Sequence, residues 1–160
     1  MYQIEVKRHL VANTFNPSDG WRVTVHLDPM ELAKGGQHAP DKQAIAAACQ
    51  QWLTEHGVTL SAHDIYGPAD LVATHPTHGT HIIEVEGDSR RQREQSLYSA
   101  FGQVVTTMGT LPAGVSFGVA FPDAPEWQRQ VQKMPAEVCR RLNLLIWLVS
   151  ASASRNFQPE

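Results

Sequence analysis

Three acidic residues near the middle of the chain have the types and the spacing that a metal site needs. Glu84 and Glu86 lie two residues apart in one predicted strand, so both side chains point to the same face. Asp70 lies in the preceding predicted strand, and pairing of the two strands through the HPTHG turn at 75–79 would bring it near Glu84. Clustered carboxylates repel one another, and a hard cation such as Mg²⁺ or Mn²⁺ relieves that repulsion. Such an ion can activate water and stabilise negative charge on a phosphodiester.

The elements before these strands are predicted from alternation and from turn residues. Apolar and polar residues alternate over 2–11 and again over 21–27, with the NPSDG turn at 16–20 between them. This pattern predicts an N-terminal β-hairpin. The segment 28–40 contains two prolines and two adjacent glycines, which predicts a loop.

The rest of the chain alternates between helical and strand patterns. Apolar residues recur at helical spacing from near Asp41 to His56, and continuous apolar runs further on predict buried strands. Because strands separated by long helices favour a mixed sheet covered on both faces, we predict one α/β domain. It has a hairpin and loop at 1–40, a core at 41–150 and a loose polar tail at 151–160. The predicted core elements are helices at 41–56, 90–108 and 124–142, a short irregular strand at 58–65, and strands at 69–74, 80–86, 115–121 and 144–149. The last helix would either tolerate Pro135 or kink there.

Asp70 in GPADLVA, followed by Glu84-Val85-Glu86, resembles the D…(E/D)xK signature of the restriction-endonuclease-like nucleases, the PD-(D/E)xK superfamily. Gln103 in FGQVV is similar to a glutamine that many members carry on the next helix, and the strand–helix–strand order downstream also agrees. The resemblance covers roughly 41–149 and implies a three-layer core with a central mixed sheet. It also implies hydrolysis of phosphodiester bonds, most readily in DNA, with Asp70 and Glu84 holding Mg²⁺ and Gln103 positioning the substrate strand.

One position departs from this signature. Glu86 stands where most members carry a lysine that orients or activates the attacking water, although some restriction enzymes have glutamate there. Glu86 would then complete the ligand set or act as a general base. Lys42 is a candidate substitute for the lysine, and Glu55 is a candidate extra ligand, as first-helix glutamates are in some relatives.

Two other readings of the carboxylates stay open. The chain could be a nuclease-like module that no longer cuts and instead binds nucleic acid or protein. Alternatively, the acidic residues could bind a cation that only stabilises the fold, or line an exposed strand face.

Other polar residues have both a functional and an ordinary explanation. Arg90, Arg91 and Arg93 follow the carboxylates at a helix start, where they would bind phosphates or simply face solvent. Histidines recur every three residues, at His75, His78 and His81. In a hairpin this spacing would point the three rings in different directions, and no cysteine is near. We therefore expect no zinc site, and place these histidines at a rim where one could contact nucleic acid.

Composition limits the class of protein. The chain has 160 residues, 42% hydrophobic and 18% charged, with a formal net charge of −3, so any nucleic-acid binding must come from a local basic patch. The N-terminus is unlike a signal peptide, and the longest apolar run, 142–149, is too short to span a bilayer. Cys49 and Cys139 are expected to be reduced thiols in a cytoplasmic protein with no membrane association. The resemblance allows a homodimer, since many relatives are dimers, although no residue pattern indicates one.

Overall fold

The computed structural model describes residues 1–34, 38–88, 93–108 and 114–159. Its elements are helices α1 Gln3–Asn13, α2 Lys42–Glu55, α3 Arg93–Thr107, α4 Pro125–Val131 and α5 Ala136–Arg141, and strands β1 Arg22–Val25, β2 Thr59–Leu60, β3 Leu71–His75, β4 Gly79–Val85, β5 Val115–Pro122, β6 Leu144–Val149 and β7 Ser154–Asn156.

The seven strands form one mixed sheet in the order β2-β1-β3-β4-β5-β6-β7. Strands β1, β3 and β4 are antiparallel neighbours, whereas β4, β5 and β6 run parallel. The helices between the parallel strands make the crossovers that such pairing requires. The predicted α/β class with a central mixed sheet is confirmed.

Helices cover both faces of this sheet. On one face, Val6 and Leu10 of α1 pack with Leu53 of α2 against strand residues such as Ile83 and Trp147. The other face is covered mainly by α3 and α4, whose buried side chains meet the alternate residues of the same strands, among them Leu97, Val104, Trp127, Ile82 and Ile146. Because successive strand residues point to opposite faces, one apolar run in β6 supplies both cores.

The predicted N-terminal hairpin is wrong. Its first half is helix α1, and only Arg22–Val25 is a strand, which pairs with β3 and β2 instead. The side chains of α1 that are buried against the sheet lie on one helical face and include Ile4, Val6, Leu10 and Val11. Part of their spacing in the sequence also resembles the alternation of a strand. Tertiary burial against the sheet decides between the two structures.

Two predictions near the C-terminus are also wrong. The predicted helix at 124–142 is divided into α4 and α5, because Pro135 lacks an amide hydrogen and takes the extended conformation that begins α5. The tail is not loose, since β7 pairs antiparallel with β6 and extends the sheet by one strand. Within the described ranges, no helix is long and apolar enough to cross a membrane.

Candidate functional site

The pairing of β3 with β4 brings two of the predicted carboxylates together at one end of the sheet. Leu71 lies opposite Ile83, so Asp70 and Glu84 fall opposite each other one step further along. The side chains of Asp70 and Glu84 are hydrogen-bonded to each other. Asp70 also accepts a hydrogen bond from the backbone N–H of Val85, 2.9 Å from its Oδ2. Strand register therefore fixes this pair, as the sequence predicts.

Glu84 and Glu86 hold their protons unusually strongly. Glu84 is 7% exposed, and burial, reinforced by the charge of Asp70, raises its pKa to about 8. Glu86 follows the last residue of β4, where its N–H continues the pairing with β5 by donating to the carbonyl of Ala120 at 2.9 Å. Burial, again with the charge of Asp70, raises the pKa of Glu86 to about 7. Near neutral pH these groups can therefore exchange protons.

A lysine that the sequence analysis missed lies among these carboxylates. Lys7 of α1 has no exposed surface, and its Nζ lies 2.8 Å from Oδ1 of Asp70 and 2.7 Å from Oε2 of Glu31. The same amine donates to the carbonyl of His26 at 2.7 Å. One turn earlier, Gln3 donates from Nε2 to both carboxylate oxygens of Asp70, at 3.2 and 3.3 Å. The start of α1 therefore closes over the end of β3.

Glu31 adds a fourth carboxylate to the cluster. It is 5% exposed, and burial raises its pKa while the charge of Lys7 acts in the opposite direction. The backbone N–H of Glu31 donates to Asp28 at 2.7 Å, and the N–H of Asp28 donates back to Oε2 of Glu31 at 3.1 Å. Oε1 of Glu31 is buried and has no hydrogen-bond partner among the described residues. An oxygen left in this state is suited to accept a further donor or a cation.

A cavity of about 220 Å³ opens beside the cluster and is lined by two of its carboxylates, Glu31 and Glu86. It lies between the start of α1, the segment around Glu31 and the end of β4, where Glu86 lines it. Lys42 also lines the cavity, but its Nζ donates to the carbonyl of Met30 at 2.6 Å. Lys7, not Lys42, is therefore the lysine with an ion pair to the predicted site.

Helix α3 places different residues beside the site than the sequence predicted. Gln103 is exposed further along the helix, whereas Gln95, Ser96 and Ser99 line a depression that they share with Glu86. Gln103 does not line this depression, because the first two turns of the helix, and not its third, meet the end of β4, and its predicted contact with the substrate strand stays a prediction.

Arg93 and Glu55 do not join the carboxylates. Arg93 forms an ion pair with Asp88, with its Nη2 2.6 Å from Oδ1. Arg90 and Arg91 lie outside the described residues, so their predicted phosphate contacts remain predictions. Glu55 is exposed on α2 and accepts a hydrogen bond from Gln51 at 2.8 Å.

The donor set fits a hard divalent ion only in part. In the described ranges, no three or more histidine, cysteine, aspartate and glutamate side chains are arranged as a group that could hold a metal. Lys7 already supplies one positive charge to Asp70 and Glu31. Mg²⁺, however, is commonly held by one or two carboxylates and several waters, which Asp70 and Glu84 could provide from adjacent strands. An ion held there would require Glu84 to lose its proton.

The histidines lie at the opposite end of β3 and β4. Their rings do not point in different directions, as the sequence analysis expected, but gather around Trp21, with ring centroids 5.0 Å away for His75, 5.9 Å for His78 and 5.5 Å for His81. Aromatic contacts with the tryptophan, stacked for His78 and tilted for His75 and His81, explain this grouping.

Comparison of the chain with models of protein families, with curated proteins and with solved structures gives no match.

Proposed function

We propose that the protein is a divalent-metal-dependent nuclease that hydrolyses phosphodiester bonds, most readily in DNA, on a restriction-endonuclease-like core. The order β3, β4, α3, β5 is the one that the signature requires, and Asp70, Glu84 and Glu86 lie together at the end of the sheet. The cavity of about 220 Å³ gives access to Glu86.

The contact between Lys7 and Asp70 carries this proposal. The signature has a lysine where this chain has Glu86, and the position therefore lacks its positive charge. Helix α1 supplies an ammonium group 2.8 Å from Asp70, from the other side of the same carboxylate cluster. The three N–H donors of Lys7 already go to Asp70, Glu31 and the carbonyl of His26, so Lys7 would act on the reaction through its positive charge and not as a donor to water or phosphate.

The other residues have separate roles in the proposed reaction. Asp70 and Glu84 would hold Mg²⁺ or Mn²⁺, which supplies the neutralising charge and activated water that phosphodiester hydrolysis needs. Glu86, with a pKa of about 7, is suited to accept the proton of that water near neutral pH. Gln95 and Ser99 of α3 line the same depression as Glu86 and would bind the substrate backbone.

A nuclease-like module that does not cut is the second candidate. It is favoured by the lack of a ready-made three-carboxylate group in the described parts of the chain, and by the positive charge that Lys7 already brings. In such a module, the ion pairs of Lys7 would serve only to attach α1 to the sheet.

Nicking of supercoiled plasmid in Mg²⁺ or Mn²⁺ separates the two candidates. We expect the wild type to nick and Asp70→Asn and Glu84→Gln to lose at least about 100-fold in rate, since both would remove metal ligands. Glu137→Gln, on the exposed face of α5, is the matched control and should keep the wild-type rate. Single-stranded DNA and RNA are tested in parallel. Lack of cleavage of every substrate by the wild type would support the module instead.

A further inference from the structure

A groove of about 520 Å³ lies on the sheet face at the ends of β3 and β4 away from the carboxylates. In the register of the sheet, Arg22 pairs with Thr74 and Thr74 with Thr80, while Thr24 pairs with Thr59. Alternation along the strands therefore directs these side chains to one face. The floor of the groove is polar and consists of Arg22, Thr24, Thr59, Thr74 and Thr80.

Aromatic side chains line the rim of this groove. His63 and Tyr66 have ring centroids 5.0 Å apart, and Nδ1 of His63 accepts the backbone N–H groups of Ile65 and Tyr66 at 3.2 and 3.3 Å. These bonds hold the segment in place while Ile65 remains 78% exposed. Trp21 also borders the groove, but its ring packs with the cluster on the other sheet face and is stacked by His78. The rim therefore offers the half-buried ring of Tyr66 and the exposed side chain of Ile65.

The charge of the groove differs from that of the whole chain. The formal net charge is −3, yet none of the residues that line the groove is acidic. Arg22 is exposed there, and no ion pair to it is found among residues 1–34, 38–88, 93–108 and 114–159. An arginine in such surroundings is available to an anionic group such as a phosphate.

We propose that this groove binds a nucleotide unit of a single-stranded nucleic acid. The base stacks on Tyr66, the guanidinium of Arg22 binds a backbone phosphate, and the threonine hydroxyls contact the sugar and base edges. Aromatic stacking platforms next to a positive charge are how proteins bind single strands without sequence preference.

The location connects this groove to the proposed nuclease site, and this step rests on the proposed function. Thr80 and Glu84 lie four residues apart in β4, so alternation directs both side chains to the same sheet face. At about 3.3 Å per residue, the two places are about 13 Å apart. A strand held in the groove would therefore have its neighbouring nucleotides directed towards the carboxylates.

Binding without cleavage tests this proposal independently of the nuclease. Fluorescence anisotropy of a labelled oligothymidylate of about 12 nucleotides, in EDTA, compares the wild type with Arg22→Gln and Arg22→Glu. We expect Arg22→Glu to weaken binding at least about tenfold, and Arg22→Gln to lower the slope of log affinity against log salt by about 0.7, the value for one lost phosphate contact. Arg129→Glu, an exposed arginine on α4, is the matched control and should bind as the wild type does.

Each contrary result has a definite meaning. The proposal is overturned if the wild type does not bind the oligonucleotide, or if the Arg22 variants bind as tightly as Arg129→Glu. Binding by a wild type that nicks no substrate would retain the groove and reject the nuclease. Arg22→Gln keeps a polar, uncharged side chain at an exposed position, so it keeps the test valid if Arg22→Glu does not fold.

Discussion

The ammonium group of Lys7 lies 2.8 Å from Oδ1 of Asp70, at the point where helix α1 crosses the end of the sheet. Its side chain is fully buried, and it has Glu31 as a second carboxylate partner at 2.7 Å. A buried ion is stable only when its charge and hydrogen bonds are satisfied, so the helix and the carboxylates depend on one another.

Removal of this lysine should therefore destabilise the fold. In Lys7→Met, Asp70 and Glu31 keep their burial but lose their common partner, and we expect the free energy of unfolding at neutral pH to fall by about 3–5 kcal/mol. Urea denaturation measures this loss. Lys42→Met is the control, because that amine has a backbone carbonyl partner near the surface, and its cost should be below about 1 kcal/mol. Equal costs for the two variants would contradict the structure.

The raised pKa values of Glu84 and Glu86 predict how stability changes with pH. In the folded protein the pKa is about 8 for Glu84 and about 7 for Glu86, whereas the ordinary pKa of a glutamate in the unfolded chain is 4.5. Between these values the folded state holds more protons, so stability is greatest at the acidic end of this window and falls as pH rises. Each group contributes a slope of up to about 1.4 kcal/mol per pH unit.

Urea denaturation between about pH 5 and about pH 9, without metal, measures this slope. In Glu84→Gln the slope should be shallower, because one of the two titrating groups is gone. Glu55→Gln changes an exposed carboxylate on α2 and should leave the slope unchanged. A wild-type stability that is flat or rises across this range would show that the two carboxyl groups are not buried together.

The carboxylate cluster could be predicted from the sequence because strand geometry is local. Alternation places Glu84 and Glu86 on one face, and a short hairpin fixes the register that brings in Asp70. Strand β6 is found at its predicted bounds, Leu144–Val149, because a continuous apolar run suits a strand buried on both faces.

The role of α1 could not be predicted in the same way. Lys7 interrupts the apolar face of the helix, and a lysine in a sequence pattern is taken as solvent-exposed. Its burial becomes evident only when Asp70 and Glu31, which are distant in sequence, are placed around it. Gln95, Ser96 and Ser99 were missed for a similar reason, since the sequence predicts helix α3 but not which of its turns meets β4.

Transfer of the lysine from position 7 to position 86 tests whether the charge of Lys7 contributes to the reaction or only to the stability of the fold. Lys7→Met should lower plasmid nicking by about 100-fold, and so should Glu86→Lys alone, which would add a second positive charge beside the first. Combining Glu86→Lys with Lys7→Met restores one lysine at the carboxylates, as in the superfamily signature. We expect the double variant to nick at least about tenfold faster than either single variant.

Thermal unfolding of all three variants accompanies this assay, so that loss of the fold is not mistaken for loss of chemistry. A double variant that is folded and is no faster than Lys7→Met would show that Lys7 has a structural role only.

Anomalous diffraction from crystals soaked in Mn²⁺ tests the central claim most directly, because it locates the ion without any assumption about substrate. The structure predicts a peak between Asp70 and Glu84, about 2.0–2.6 Å from an oxygen of each, which is absent in Asp70→Asn crystals soaked in the same way. A well-ordered site with Lys7 still paired to Asp70 and no peak at saturating Mn²⁺ would contradict a metal-dependent nuclease.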